Sequence, residues 1–241
     1  WCLSNTPQRL VLDGMFDIYK SWITYSRVVG FRLNTARHVR AEFWQAFTPA
    51  ILEHAESLGI DHFHVFGEVY VDGQNPQHLA KFTTRAGLPT VLDFAFQSTA
   101  QSVIIDGAPG LQLDKLYSSD AIYKNGEETA RQLPTFLGNH DMGRFAGFLR
   151  ATSPDMNDDE MVARTRLAHG LMMMSRGVPT IYYGDEQGFV SDGNDQAARE
   201  NMFPSQTTSY NDNDLIGTTA TTAEANFDTA HPIFAAISEF S

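Results

Sequence analysis

The strongest constraint on the fold is an alternation, repeated five times, of short apolar segments typical of β-strands with longer helix-like segments. Two-residue hairpin turns between successive strands are missing from the sequence, so the pattern predicts βα units around a parallel sheet. The sequence is therefore that of an α/β protein. The predicted strands cover residues 28–34, 62–69, 90–94, 134–139 and 178–183.

The helix-like segments carry start and stop signals. Thr6-Pro7 and Thr48-Pro49 each place a capping residue before a proline suited to the first helical turn, and Gly59 suits a helix end. The acidic run 157–160 is predicted to open a further helix that extends to about residue 176. A last helix is predicted near residues 232–240.

Residues 189–225 interrupt this pattern, because they are rich in Asn, Asp, Thr and Ser. They predict a long polar surface excursion rather than regular elements. The sequence contains neither an internal repeat nor a low-complexity linker, so one domain is sufficient to account for it.

Composition excludes several classes of function. Net charge is −12 and basic residues do not cluster, so neither a nucleic acid nor an anionic membrane is an expected partner. Cys2 is the single cysteine, which excludes an internal disulfide framework and a cysteine-rich zinc site. The apolar runs are all shorter than the roughly 20 residues that a membrane span requires. A neutral or small partner is expected.

Polar side chains end several predicted strands, where parallel α/β sheets place their functional sites. Arg32 and Asn34 share one face of the first strand, Glu68 ends the second, and His140 and Asp141 end the fourth. Two carboxylates beside a histidine and an arginine suit acid/base chemistry on a hydroxyl-rich substrate, as in glycoside hydrolysis. The alternative at Glu68 and Asp141 is a structural role in capping the loops.

These polar segments resemble those of the α-amylase family, glycoside hydrolase family 13. The matching segments are residues 30–38, 66–69, 136–141 and 177–186, in the family's order and each at a predicted strand end. The likeness extends from about residue 6 to 199. It implies a (β/α)8 TIM barrel and a retaining mechanism on the α-glucosidic bonds of starch-like or malto-oligosaccharides.

The resemblance also implies roles for individual residues. Glu68 would be the general acid/base, and Asp141 would hold substrate hydroxyls and stabilise the transition state. Arg32 would orient the nucleophile. The resemblance further implies sugar binding by His140 and positions near the positive subsites for Arg37 and His38. Asp195 and Arg199 lie where some exo-acting members place a charged pair at the non-reducing end of the sugar.

The chemistry of the family requires no cofactor. A structural calcium ion is the one metal that the resemblance implies, since the backbone at the position of His38 often meets calcium in the family.

Asn34 departs from the family pattern, because the nucleophile is an aspartate at this position. A neutral amide is a poor nucleophile and does not readily form the covalent glycosyl-enzyme of a retaining reaction. The simplest hypothesis is an Asp→Asn substitution made to trap substrate. Two alternatives stay open, a natural non-catalytic sugar-binding or assembly homologue and a transglycosylase of the same family.

The five predicted strands match the fourth to eighth strands of the resembled barrel. Residues 1–241 are therefore interpreted as the C-terminal portion of a catalytic barrel, without the first three strands and the β-sandwich that usually follows. We do not expect such a portion to fold alone, because its sheet edges and core would be uncovered. An acidic chain with polysaccharide chemistry fits a secreted or periplasmic enzyme.

Overall fold

The computed structural model describes residues 6–241, so Cys2 lies outside the described part of the chain. The helices are α1 (Thr6–Ser26), α2 (Ala41–Ser57), α3 (Pro76–Thr84), α4 (Phe94–Ile104), α5 (Leu111–Ser118), α6 (Glu127–Ala130), α7 (Phe145–Thr152), α8 (Asp158–Met174) and α9 (Pro232–Phe240). The strands are β1 (Gly30–Leu33), β2 (His64–Gly67), β3 (Thr90–Val91), β4 (Pro134–Thr135) and β5 (Val178–Pro179). Helix and strand alternate through β3, as predicted.

The chain divides into two compact units. The first contains the residues up to Phe94 together with Ser119–Pro134, and the second contains Ala95–Ser118 and Thr135–Ser241.

The first unit is built on a three-stranded sheet in the order β1-β2-β3. Both strand pairs are parallel, with Arg32 opposite Phe66 in β1 and β2. The parallel βα pattern predicted from the sequence is confirmed for these strands. They are shorter than predicted, but the ladder extends past them, since the Glu68 N–H donates to the Leu33 carbonyl at 2.8 Å.

Aromatic side chains link α1, α2 and the sheet of the first unit. The ring of Tyr19 on α1 lies edge-on to both Phe31 on β1 and Phe47 on α2, with centroids 4.9 Å apart in each pair. Phe31 in turn contacts Phe63. These contacts pack α1 and α2 against the sheet and fix where the end of β1 lies.

The predicted start of α2 at Thr48-Pro49 is wrong. The helix begins at Ala41, and Pro49 lies inside it. A proline in a helix interior removes one hydrogen bond and disfavours the helix. Here Trp44 and Phe47, in the turns before Pro49, are buried, and this burial outweighs the cost of the proline.

The second unit contains the predicted late helices. Helix α8 begins where the acidic run predicts, because the side chain of Asn157 accepts a hydrogen bond from the Glu160 N–H at 2.9 Å. Helix α9 spans Pro232–Phe240, as predicted. Thr135, the last residue of β4, and strand β5 also belong to this unit, and the Thr180 N–H directly after β5 donates to the Thr135 carbonyl at 2.8 Å.

Residues 189–225 are irregular, with short 3-10 turns at Asp195–Ala198 and Thr208–Tyr210. They form more than the polar surface excursion expected from composition. Phe189, Glu200 and Ile216 are fully buried, because this segment supplies part of the core of the second unit.

No helix among the described residues is long and apolar enough to cross a membrane.

Candidate active site

In the first unit, the ends of β1 and β2 bring three of the predicted site residues together. Arg32 lies on β1, while Asn34 and Glu68 directly follow β1 and β2. The Arg32 guanidinium donates one hydrogen bond to Oδ1 of Asn34 at 2.9 Å and another to Oε2 of Glu68 at 2.6 Å. We call these three residues the Arg32 cluster.

The parallel register explains this arrangement. Arg32 pairs with Phe66 across the sheet, so the residues that follow the two strands lie side by side at the same edge. The Glu68 side chain is mostly buried and that of Arg32 is one-third exposed. A charge-assisted bond in such a setting is stronger than a neutral one, so Arg32 fixes the carboxylate orientation.

A tight turn follows the Arg32 cluster. Thr35 has a φ of +48°, a left-handed conformation that costs a non-glycine residue about 1–2 kcal/mol. The turn leads into a 3-10 helix at Ala36–His38, where His38 is exposed. Arg37 donates to the Tyr70 carbonyl at 2.8 Å, which ties the loop after β1 to the loop after β2.

In the second unit, the turn after β4 presents His140 and Asp141. His140 Nε2 lies 3.3 Å from one carboxylate oxygen of Asp141, and Arg199 Nη2 lies 3.2 Å from the other. Arg199 also contacts Asp195 Oδ1 at 2.6 Å. We call these four residues the Asp141 cluster. It includes the charged pair Asp195 and Arg199 that the resemblance singled out.

The side chain of Asn139 shapes this turn. Its Oδ1 accepts hydrogen bonds from the backbone N–H groups of Asp141, at 2.9 Å, and Met142, at 2.8 Å. The backbones of Asn139 and Gly143 exchange two further hydrogen bonds of 3.0 Å. Sequence reasoning assigned no role to Asn139, although an Asn before a turn is itself a signal for such Asx bonding.

Sequence reasoning also missed a buried ion cluster in the second unit. Arg144 is completely buried and contacts Asp185 Oδ1 at 3.0 Å and Glu200 Oε2 at 3.3 Å. Its guanidinium lies 4.6 Å from the ring centroid of Tyr182. We call Arg144, Asp185 and Glu200 the Arg144 cluster. The available signal was a charged residue among the apolar and small residues 143–148.

Burial and charge oppose each other in the Arg144 cluster. Burial alone lowers the pKa of Arg144, but the carboxylates of Asp185 and Glu200 outweigh it, so its pKa is raised. Burial raises the pKa of Asp185 to about 6 although Arg144 acts in the opposite direction. Burial likewise raises the pKa of Glu200.

Metal-ligating side chains do not cluster among the described residues. Within residues 6–241, no three side chains of His, Cys, Asp or Glu come together in a way that could hold an ion. The calcium ion implied near His38 would meet the backbone rather than such a cluster of side chains, so it stays a prediction.

Comparisons with known proteins relate the sequence to one family. The family model for the alpha amylase catalytic domain matches residues 5–239. An alpha-amylase from Streptomyces lividans is 41% identical over 233 residues, which cover 97% of this chain and 25% of that protein. A cyclomaltodextrin glucanotransferase from a Bacillus species is 32% identical over 201 residues, covering 80% of this chain and 25% of that protein.

Solved structures of an alpha-amylase and of a cyclomaltodextrin glucanotransferase have a similar fold. The crystal structure of an Anoxybacillus alpha-amylase superposes with a TM-score of 0.68 at 26% identity, covering 81% of this chain and 40% of that one. A cyclomaltodextrin glucanotransferase with a three-domain ABC distribution gives a TM-score of 0.70 over 98% of this chain and 41% of its own, at 23% identity, which shows a shared fold.

The structural neighbours are α-amylase TIM-barrel enzymes, and the chain has a partial set of parallel strands of this kind. It spans a quarter of the length of the Streptomyces relative. Because the family model covers nearly the whole sequence, the chain belongs to the alpha amylase catalytic domain family.

Proposed function

We propose that the protein is a retaining glycoside hydrolase that acts on the α-glucosidic bonds of starch-like glucans or malto-oligosaccharides. The observation that carries this proposal is the Arg32 cluster, in which one guanidinium holds Glu68 and the side chain at position 34 together. The similarity to an alpha-amylase and to a cyclomaltodextrin glucanotransferase supports an α-glucan as the substrate. Residues 1–241 would supply strands four to eight of the barrel.

The first step needs an acid and a nucleophile. Glu68 gives its proton to the glycosidic oxygen as the bond to the anomeric carbon breaks, and an aspartate at position 34 attacks that carbon to form a glycosyl ester. Arg32 keeps the attacking carboxylate in place, as it now holds Oδ1 of Asn34. Asp141 and His140 bind sugar hydroxyls, and Asp141 stabilises the positive charge that develops on the ring.

The second step reverses these roles. Glu68, now ionised, takes a proton from a water molecule, which attacks the anomeric carbon and releases the side chain at position 34 as a carboxylate. Arg37 and His38 would contact the sugars on the leaving-group side.

Asn34 blocks the first step, because its neutral amide does not attack the anomeric carbon readily. Asn is almost the same shape as Asp, and Oδ1 of Asn34 still accepts from Arg32. The present form is therefore expected to bind glucan and to turn it over very slowly. The simplest explanation is an Asp→Asn substitution that inactivates an enzyme.

Restoring the carboxylate tests the proposal. We expect Asn34→Asp to raise the release of reducing sugar from maltoheptaose by on the order of 10³-fold or more, in keeping with the cost of losing a nucleophile in other enzymes. The double variant Asn34→Asp/Glu68→Gln is the matched control and should stay inactive. Binding of maltoheptaose without any gain in activity would instead identify a non-catalytic sugar-binding protein.

Transglycosylation is a second candidate function, favoured by the cyclomaltodextrin glucanotransferases among the relatives. A sugar hydroxyl would replace water in the second step with the same residues. Product analysis of the Asn34→Asp variant at high maltoheptaose concentration separates the two. Longer or cyclic products indicate transfer, and shorter products alone indicate hydrolysis.

A further inference from the structure

The Asp141 cluster holds Asp141 by its backbone as well as by its side chain. The Asp195 N–H donates to the Asp141 carbonyl at 3.1 Å, and Arg199 Nε donates to the His140 carbonyl at 3.2 Å. Arg199 Nη2 reaches the carboxylates of both Asp141 and Asp195. One guanidinium thus fixes the main chain before Asp141 and its carboxylate at the same time.

The segment that carries Arg199 is itself anchored in the core. The buried Arg144 donates to the Ala198 carbonyl at 3.2 Å and pairs with the carboxylate of Glu200, the residues on either side of Arg199. Tyr182 also donates its hydroxyl to the Ala198 carbonyl, at 2.7 Å. Arg199 therefore projects from a backbone that cannot shift without disrupting the Arg144 cluster.

We propose that Arg199 is a positioning residue for Asp141 and that the Arg144 cluster holds the backbone from which Arg199 projects. This inference rests on the proposed function, in which Asp141 binds the sugar. Arg199 acts through Asp141 by holding the carboxylate at the orientation in which it meets sugar hydroxyls. The ion pairs of Arg199 are partly exposed, and such pairs contribute little to stability, so their effect is on orientation.

A double-mutant cycle distinguishes positioning from an independent contact with the sugar. The Asn34 protein is expected to turn maltoheptaose over very slowly, so its Kd can be measured by calorimetry. We expect Asp141→Asn and Arg199→Gln each to weaken binding by about tenfold, as for loss of a hydrogen bond to a charged group. Because both changes remove the same function, the Kd of the double variant should lie within about twofold of the Kd of whichever single variant binds more weakly.

Multiplied effects, about a hundredfold in the double variant, would overturn the proposal, because they would mean that Arg199 binds the sugar by itself. Arg37→Gln combined with Asp141→Asn is the control pair. Arg37 has no part in the Asp141 cluster, so these two effects should multiply.

A second measurement needs no sugar. Arg199→Gln should speed hydrogen exchange of the Asp195 amide, which donates to the Asp141 carbonyl, by at least about fivefold. The amides of Asp141 and Met142 bond to Asn139 and should keep their rates. An unchanged Asp195 amide would overturn the positioning role. If the parent protein does not bind maltoheptaose at all, the proposed function fails, and the exchange result alone decides on Arg199.

Discussion

At the scale of single residues, Asp185 has the clearest pH dependence. Burial raises its pKa in the folded protein to about 6, above the ordinary value of 3.8. Between these two values the folded protein holds a proton that the unfolded chain has released. The contribution of Asp185 to stability is therefore fully present below about pH 4 and is lost as the pH rises through about 6.

Asp185→Asn removes this titration. We expect the free energy of unfolding of the parent to fall relative to that of the variant by up to about 3 kcal/mol between pH 4 and pH 7, since one pKa unit corresponds to about 1.4 kcal/mol. Denaturant titrations at several pH values measure the difference. Asp212→Asn removes an exposed carboxyl and should keep the slope of the parent. Parallel pH profiles of Asp185→Asn and the parent would contradict this prediction.

At this scale, the sequence predicted the residues proposed to carry out the chemistry better than it predicted the buried residues that support them. Arg32, Asn34 and Glu68 were predictable as one group, because strand alternation and parallel pairing bring strand ends to one edge. Arg144 was not predictable as a buried residue, because its burial depends on Asp185 and Glu200, which lie 41 and 56 residues further along the chain. A local pattern contains no information on such distant partners.

At the scale of elements, the turn between Asn139 and Gly143 determines how His140 and Asp141 are presented. Asn139→Ala removes an acceptor for two backbone N–H groups, so we expect it to cost about 1–2 kcal/mol of unfolding free energy and to weaken maltoheptaose binding severalfold. Denaturation and calorimetry measure the two effects.

Asn157→Ala is the matched control. It removes the acceptor that caps α8, so stability should fall by about 1 kcal/mol while the affinity is kept. Equal affinity losses in both variants would contradict a specific role for the turn.

The boundaries of elements were harder to predict than their presence. The predicted positions of α8 and α9 hold, because cap residues and prolines act within a few residues. The start of α2 was misplaced, because the burial of Trp44 and Phe47 is a tertiary effect that overrides the proline signal. The strands were predicted too long, because the apolar run in the sequence continues past the last residue whose backbone pairs with a neighbouring strand.

At the scale of the whole molecule, the α/β class and the parallel pairing of β1, β2 and β3 could be predicted from alternation alone. The division into two compact units could not, because it depends on contacts among distant segments such as residues 119–134 and those before Phe94. Family membership rests on nearly the whole sequence rather than on one motif. Function at this scale is a proposal that depends on the residue at position 34.

Trapping the covalent intermediate tests that proposal most directly. The variant Asn34→Asp/Glu68→Gln is treated with α-maltotriosyl fluoride, whose fluoride leaves without an acid, while the missing base slows release of the sugar. If the reaction runs through a covalent intermediate at position 34, the intact mass increases by one maltotriosyl group, peptide mapping places the ester on residue 34, and the Asn34 parent carries no adduct. Absence of an adduct in the variant, or its attachment to Asp141, would contradict a retaining mechanism that runs through position 34.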